Sequence, residues 1–209
     1  MHKIQYISQG ETAEEHFINC KNVLEAGGEW IQLRMKNFSV EEVKETALKV
    51  QLLCKEFEAI FILNDNVQLT NEIDADGVHL GLSDTPISKA IELFDENKII
   101  GGTANSYEDV VQRINEGCDY IGLGPFRFTK TKVNLSPVLG LEGYKALIDR
   151  LTEAQLRIPI IAIGGIEIED ISSILLTGIQ GVALSGALSG ALSTKENMDT
   201  IKSKIYEQA

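Results

Sequence analysis

Eight short β-rich runs recur along this 209-residue chain, and stretches with helical spacing separate them. They are IQYIS (4–8), WIQLRM (30–35), IFILN (60–64), GVHL (77–80), KIIGG (98–102), DYIGL (119–123), IPIIAI (158–163) and GVAL (181–184). Most are almost continuously apolar, the pattern of parallel strands covered on both faces. Over 39–57, Val40, Val43, Ala47, Val50, Leu53 and Cys54 recur every three or four residues, as on one face of a helix. Ser39 stands before that stretch with Glu42 three residues on, the pattern of a capping box. SYEDVVQRINEG repeats the design, with Ser106 ahead of Val110, Val111 and Ile114 and Gly117 behind. IEIEDISSILLTGIQG does so again and closes at Gly178. Eight strands alternating with about eight helices predict an α/β chain folded as one single-domain (β/α)8 TIM barrel over 1–209. A doubly wound open sheet is the competing architecture. It would carry a glycine fingerprint after the first strand, and ISQGETAEE has none.

The bulk properties narrow the partners. A formal net charge of -12 argues against a broad nucleic-acid surface, so any anionic ligand is expected to be held by local chemistry. No apolar run reaches the roughly 18 residues of a membrane span, and no signal peptide is visible at MHKIQYISQG. Cys20, Cys54 and Cys118 are scattered without CxxC spacing, which suggests neither a zinc site nor a disulfide framework. Cys54 and Cys118 sit among apolar neighbours and read as reduced core residues. The expected setting is cytoplasmic, with small-molecule partners, no nucleic acid and no membrane; the oligomeric state is left open, a homo-oligomer included.

In such a barrel, polar residues at the C-terminal ends of the strands face the catalytic mouth. In the second run Gln32, Arg34 and Lys36 alternate, so their side chains leave one face. Arg offers a planar fork for phosphate oxygens and Lys a mobile point charge, although Lys36 also reads as the first solvated loop residue. The third run ends in Asn64 and Asp65, and Asp84 follows the fourth in GLSD. Each Asp is open to two readings: a cap for the next helix, or one of two carboxylates sharing Mg2+, which takes hard oxygen ligands. His79 reads as a satisfied core histidine. Thr103 offers a hydroxyl after the fifth run. The sixth leads into GPFRFTKTK (124–132), where Gly124 and Pro125 turn the chain, Thr129 and Thr131 offer hydroxyls and Lys132 a charge. Arg127 and Lys130 read as solvated loop cations. The last two runs end in AIGGI and ALSGAL, where Gly164, Gly165, Ser185 and Gly186 let backbone N–H groups approach an anion. The mouth therefore reads as two anion sites, one metal-assisted and one lined by backbone.

QLRMK, NDNVQLTNEIDADGVHLGLSD, GPFRFTKTK, AIGGI and GVALSGAL together resemble the thiamine phosphate synthase family, over roughly residues 3–190. The resemblance implies an enzyme that joins 4-amino-2-methyl-5-hydroxymethylpyrimidine diphosphate to a (carboxy)thiazole ethyl phosphate, releasing diphosphate. By that analogy Gln32, Leu33, Arg34, Met35, Lys36, Asn64, Thr103 and Lys132 contact the pyrimidine diphosphate. Asp65 and Asp84 hold Mg2+. Thr129, Lys130, Thr131, Gly165, Ser185 and Gly186 hold the thiazole phosphate. Arg34, Lys36 and Lys132 are the catalytic cations that neutralise the departing diphosphate. The sequence departs from the family pattern at Leu82, where Gln is usual, at Thr103 for Ser and at Phe128 for Pro. Ser185 lies one residue before the usual serine, whose place Gly186 takes. The related thiazole tautomerases carry a His near the place of Asn105. A tautomerase-like enzyme and a catalytically silent phosphate-binding paralogue are the alternatives.

Overall fold

The computed structural model describes residues 2–94, 98–128, 137–190 and 194–206. Strands β1 (Ile4–Ile7), β2 (Trp30–Leu33), β3 (Ile60–Asn64), β4 (Gly77–Leu80), β5 (Ile99–Ala104), β6 (Tyr120–Leu123), β7 (Ile160–Ile163) and β8 (Gly181–Leu184) run parallel in chain order. β8 pairs with β1, so the sheet closes into a barrel. The outer helices are α1 (Ala13–Glu25), α2 (Val40–Glu56), α3 (Val67–Glu72), α4 (Ile87–Leu93), α5 (Tyr107–Glu116), α6 (Gly140–Ile148), α7 (Ile171–Leu175) and α8 (Thr194–Tyr206).

Strand side chains alternate between two buried layers, and this is why the runs look continuously apolar. Ile7, Trp30, Ile62, Tyr120, Ile161 and Ala183 point inward and plug the barrel. Their neighbours, among them Tyr6, Ile31, Leu33, Phe61, Val78 and Ile121, face outward into the layer shared with the helices. Trp30 and Tyr120 meet edge to face with centroids 4.7 Å apart. Such a pair contributes about 0.5–1.5 kcal/mol beyond the area it buries.

Local signals set the element ends. Ser39 Oγ accepts from the Glu42 N–H at 3.2 Å and the Glu42 carboxylate accepts from the Ser39 N–H at 3.0 Å, the capping box expected of α2. Ser106 and Asp109 do the same for α5, which ends at Gly117 with φ 87°, a left-handed conformation that glycine adopts without penalty. One face residue departs from expectation. Val40 is 59 % exposed, because it is the first residue of α2 and the helix meets the core only from Val43 onward. β2 stops at Leu33, two residues before its apolar run does, because the Arg34 N–H turns from the ladder to donate to Ser8 Oγ at 2.9 Å. β5 runs past its predicted end to Ala104. Cys20, Cys54 and Cys118 are buried free thiols. Burial pushes Cys54 and Cys118 up to about 12, which keeps them protonated and unreactive. Among the described residues no helix is long and apolar enough to cross a membrane.

Candidate active site

The C-terminal rim of β2–β5 gathers the charged residues singled out by the sequence. Arg34 leaves the end of β2 half-buried, and Lys36 follows in an exposed turn. Burial lowers the Arg34 pKa while the Asp65 carboxylate opposes that shift, so the two lie within electrostatic reach. Asp65 sits just past β3 with φ 66°. A non-glycine residue in the left-handed region is uncommon and carries strain, which accumulates at functional sites. Its N–H donates to the His79 carbonyl at 2.9 Å, which extends the β3–β4 ladder by one bond and fixes the turn.

The helix-cap reading fails for both aspartates. Asn66 is the N-cap of α3, its Oδ1 accepting from the Leu69 N–H at 2.9 Å. Asp84 lies two residues ahead of Pro86, the N-cap of α4, and its Oδ2 instead accepts from the Gly81 N–H at 2.7 Å, closing the turn that carries Leu82. This turn brings the Asp84 carboxyl close enough to Asp65 to act on its ionisation. Burial, then the Asp84 carboxyl, raise the Asp65 pKa, while Lys36 and Arg34 pull it back down. Two carboxyl groups so close need a shared proton or a shared cation.

That donor set fits Mg2+. Among the described residues no group of three or more His, Cys, Asp or Glu gathers into a closed cage. Mg2+ is commonly held by one or two carboxylates and completed by water and substrate phosphate oxygens. Asp65 and Asp84 supply that pair.

The other candidates divide by strand parity. Gln32 and Asn64 point into the barrel, where Gln32 Nε2 donates to Asn64 Oδ1 at 2.7 Å. The remaining acceptor, Gln32 Oε1, is buried without a partner among the described residues. Leu33 lies in the helix–sheet layer and Met35 packs against it. Their side chains therefore turn away from the mouth, and only their backbone can serve a ligand there. Thr103 reaches the mouth from the inward face of β5 and is hydrogen-bonded to His79 at 3.0 Å. His79 is 5 % exposed and paired, the satisfied core histidine expected of it.

Around β6–β8 the picture is one of clamped loops. Thr129, Lys130, Thr131 and Lys132 lie outside the described residues. The Arg127 side chain is solvent-exposed, as the sequence suggests, yet it is also bound at its guanidinium. It grips Asp170 with two bonds of 3.0 Å and donates to the Gly165 carbonyl at 2.6 Å. Its own N–H donates to the Gly164 carbonyl at 2.9 Å. The β6 exit thus holds the β7 exit, where Gly164 and Gly165 have φ values of 94° and 69° that favour glycine. At the end of β8, Ser185 Oγ donates to Gln9 Oε1 at 3.1 Å. Gly186 has ordinary backbone geometry, and a Cβ there would lie 3.8 Å from Gln9. Asn105 donates to the Gly124 carbonyl and joins the β5 and β6 exits. A recess of about 450 Å3 lies at the opposite end of the barrel, between Glu58, Asp76 and Lys98.

Arg113 escaped the sequence reading. It is 2 % exposed on α5 and reaches under the rim, where Nη2 donates to the Gly81 carbonyl and Nε to the Thr103 carbonyl, each at 3.0 Å. Its Nη1 pairs with Glu116 at 2.7 Å. Its place three residues after Val110 and one before Ile114, a cation on the apolar stripe of a helix, was the signal available.

Residues 5–188 match the family model described as thiamine monophosphate synthase. A thiamine-phosphate synthase of Flavobacterium psychrophilum is 53 % identical over 186 residues, covering 89 % of this chain and 90 % of the relative. One from Bacteroides thetaiotaomicron is 52 % identical over 188 residues, covering 90 % of each chain. The solved structure of thiamine phosphate pyrophosphorylase from Pyrococcus furiosus superposes with a TM-score of 0.84 at 31 % identity, covering 98 % of this chain and 96 % of that one. With the match spanning the barrel from β1 to beyond β8, the chain belongs to the thiamine monophosphate synthase family.

Proposed function

We propose that this chain condenses the pyrimidine diphosphate named above with a (carboxy)thiazole ethyl phosphate to give thiamine phosphate and diphosphate. The observation that carries the reading is the convergence of Arg34 and Lys36 on the Asp65–Asp84 pair at one edge of the mouth. In the proposed step the bond between the pyrimidine methylene carbon and the diphosphate oxygen breaks, and the oxygen keeps the electron pair. The thiazole nitrogen then supplies its lone pair to the methylene carbon. The carboxylated thiazole also loses CO2.

Charge builds on the departing diphosphate, so groups aimed at it lower the barrier more than they strengthen ground-state binding. Arg34, Lys36 and Lys132 are assigned that work. Asp65 and Asp84 would hold Mg2+, which when bound supplies further positive charge to the phosphate oxygens. Gln32 and Asn64 offer polar groups to the pyrimidine from the barrel interior. The side chain at position 103 offers a hydroxyl, and the backbone of Leu33 and Met35 lines the same edge. The thiazole phosphate is assigned to Gly165, Ser185, Gly186, Thr129, Lys130 and Thr131. No side chain needs to act as a dedicated acid or base, since the work is positioning and charge neutralisation.

The test is direct. Mixing the two substrates with Mg2+ and the protein should form thiamine phosphate and diphosphate in equal amounts, and release of neither overturns the reading. The tautomerase alternative is disfavoured by Asn105, whose amide is committed to the Gly124 carbonyl. A silent paralogue is disfavoured by the retained carboxylate pair. Phosphorylated small molecules are thus the proposed partners. A cytoplasmic location is proposed with them, in keeping with three buried free thiols.

Division of the mouth into two sites gives a second expectation. Gly165→Val places a β-branched residue at φ 69°, where L side chains are strained, and reshapes the β7 loop. It should raise KM for the thiazole phosphate by about tenfold or more, with KM for the pyrimidine diphosphate nearly unchanged. Equal increases for both substrates would mean that the division is wrong.

A further inference from the structure

A buried chain of hydrogen bonds crosses the barrel and ends at the mouth. Gln5 Nε2 donates to Tyr120 Oη at 3.1 Å, Tyr120 Oη lies 3.0 Å from His79 Nδ1, and His79 Nε2 lies 3.0 Å from Thr103 Oγ1. Gln5, Tyr120 and His79 are 2 %, 0 % and 5 % exposed, so water does not stand in for any link. Thr103, at the far end, is only partly buried.

The polarity of this chain follows from its first member. An amide nitrogen only donates, so Tyr120 Oη accepts there, and His79 Nδ1 at 3.0 Å is an acceptor in reach of its own proton, the direction taken here. Burial keeps the Tyr120 phenol protonated, so that proton is always present. A neutral imidazole whose Nδ1 accepts carries its hydrogen on Nε2. Nε2 then donates to Thr103 Oγ1. The threonine hydroxyl, having accepted, is left with its hydrogen to give.

We propose that His79 is a positioning residue that fixes the direction of the Thr103 hydroxyl, so that Thr103 donates its proton to an acceptor oxygen or nitrogen of the ligand in the mouth. This rests on Thr103 being a contact for the pyrimidine diphosphate, as proposed above. The fold makes room for the relay. A Cβ at Gly101 would lie 2.1 Å from the Tyr120 ring, and one at Gly122 would lie 3.1 Å from His79 Cε1. Trp30 holds the other side of the Tyr120 ring edge-on at 4.7 Å. Two glycines in adjacent strands thus admit an aromatic phenol and an imidazole to an otherwise apolar plug.

Two measurements test it. Nitrogen-15 NMR of the full chain labelled at histidine should find His79 as the Nε2–H tautomer, and Tyr120→Phe should abolish that preference. An Nδ1–H tautomer in the unaltered protein overturns the relay. This readout needs no turnover, so an inactive protein would sink the proposed function while the tautomer still decides the relay. In kinetics, Thr103→Val and His79→Leu should each lower kcat/KM for the pyrimidine diphosphate about 10- to 100-fold, as for a hydrogen bond to a charged group. The double variant should fall within about twofold of Thr103→Val alone, because the histidine acts only through the threonine. His79→Gln should retain most activity, since its amide oxygen takes the Tyr120 proton and its N–H faces Thr103. Independent, multiplying losses in the double variant would reduce His79 to a packing role. If His79→Leu does not fold, Tyr120→Phe combined with Thr103→Val reads the same coupling.

Discussion

Asp65→Asn should lower kcat by on the order of 10²–10³-fold and leave the melting temperature unchanged or slightly raised. Asn tolerates the left-handed backbone that Asp65 adopts at φ 66°, so the turn and its N–H bond to the His79 carbonyl survive. Asp65 caps no helix, and the attraction its charge feels from Arg34 and Lys36 is set against burial and the facing Asp84. What is lost is one of the two carboxylates proposed to hold Mg2+. What is relieved is the opposition between Asp65 and Asp84. Catalysis and stability should therefore move apart. The check is turnover across a Mg2+ titration alongside thermal unfolding. Undiminished turnover by the unaltered protein in excess chelator would remove the metal from the scheme. An unfolded Asp65→Asn would make the residue structural.

The largest loss of stability is expected at Arg113. Arg113→Met keeps most of the side-chain volume but strips donors from the Gly81 and Thr103 carbonyls and removes the cation paired with Glu116, which keeps only its bond from Gln112. Only Arg113 of that pair is fully buried, so the loss of its bonds to two carbonyls and to a partly exposed carboxylate together is set at about 3–5 kcal/mol. For a chain of this size that lowers the melting temperature by roughly 6–20 °C. The two carbonyls belong to the turn that carries Asp84 and to the residue that presents a hydroxyl at the mouth. Turnover measured well below the new melting temperature should therefore fall as well. A melting temperature within 2 °C of the unaltered value, on the same scale, would mean that Arg113 carries little of the rim. A second replacement, Glu116→Gln, keeps a polar partner and should cost much less than Arg113→Met. That ordering separates loss of the carbonyl clamp from loss of the ion pair.

The strands were legible because their physics is local. A parallel strand buried on both faces must be apolar at nearly every position, and GVHL and GVAL match the observed β4 and β8 residue for residue. Helix starts were legible where the cap is written in neighbouring residues, as at Ser39 and Ser106. Position along the helix was less so. Val40 has the right spacing for the buried stripe, yet the stripe meets the core only from Val43.

The sequence by itself determined the architecture and the chemical inventory: eight parallel strands with helices outside, and carboxylates, an arginine, lysines and glycines at the strand ends. Those follow from periodicity, turn chemistry and residue type, which neighbours along the chain express. Tertiary structure decided who meets whom. Barrel closure sets Asp84 against Asp65, drives Arg113 beneath two carbonyls and turns Arg127 from a loop cation into the clamp on Gly165. It also joins Gln5, Tyr120, His79 and Thr103 into one chain across 115 residues of sequence. Hydrogen bonds and burial energies depend on distances of a few ångströms, and for residues so far apart only the closed barrel fixes those distances.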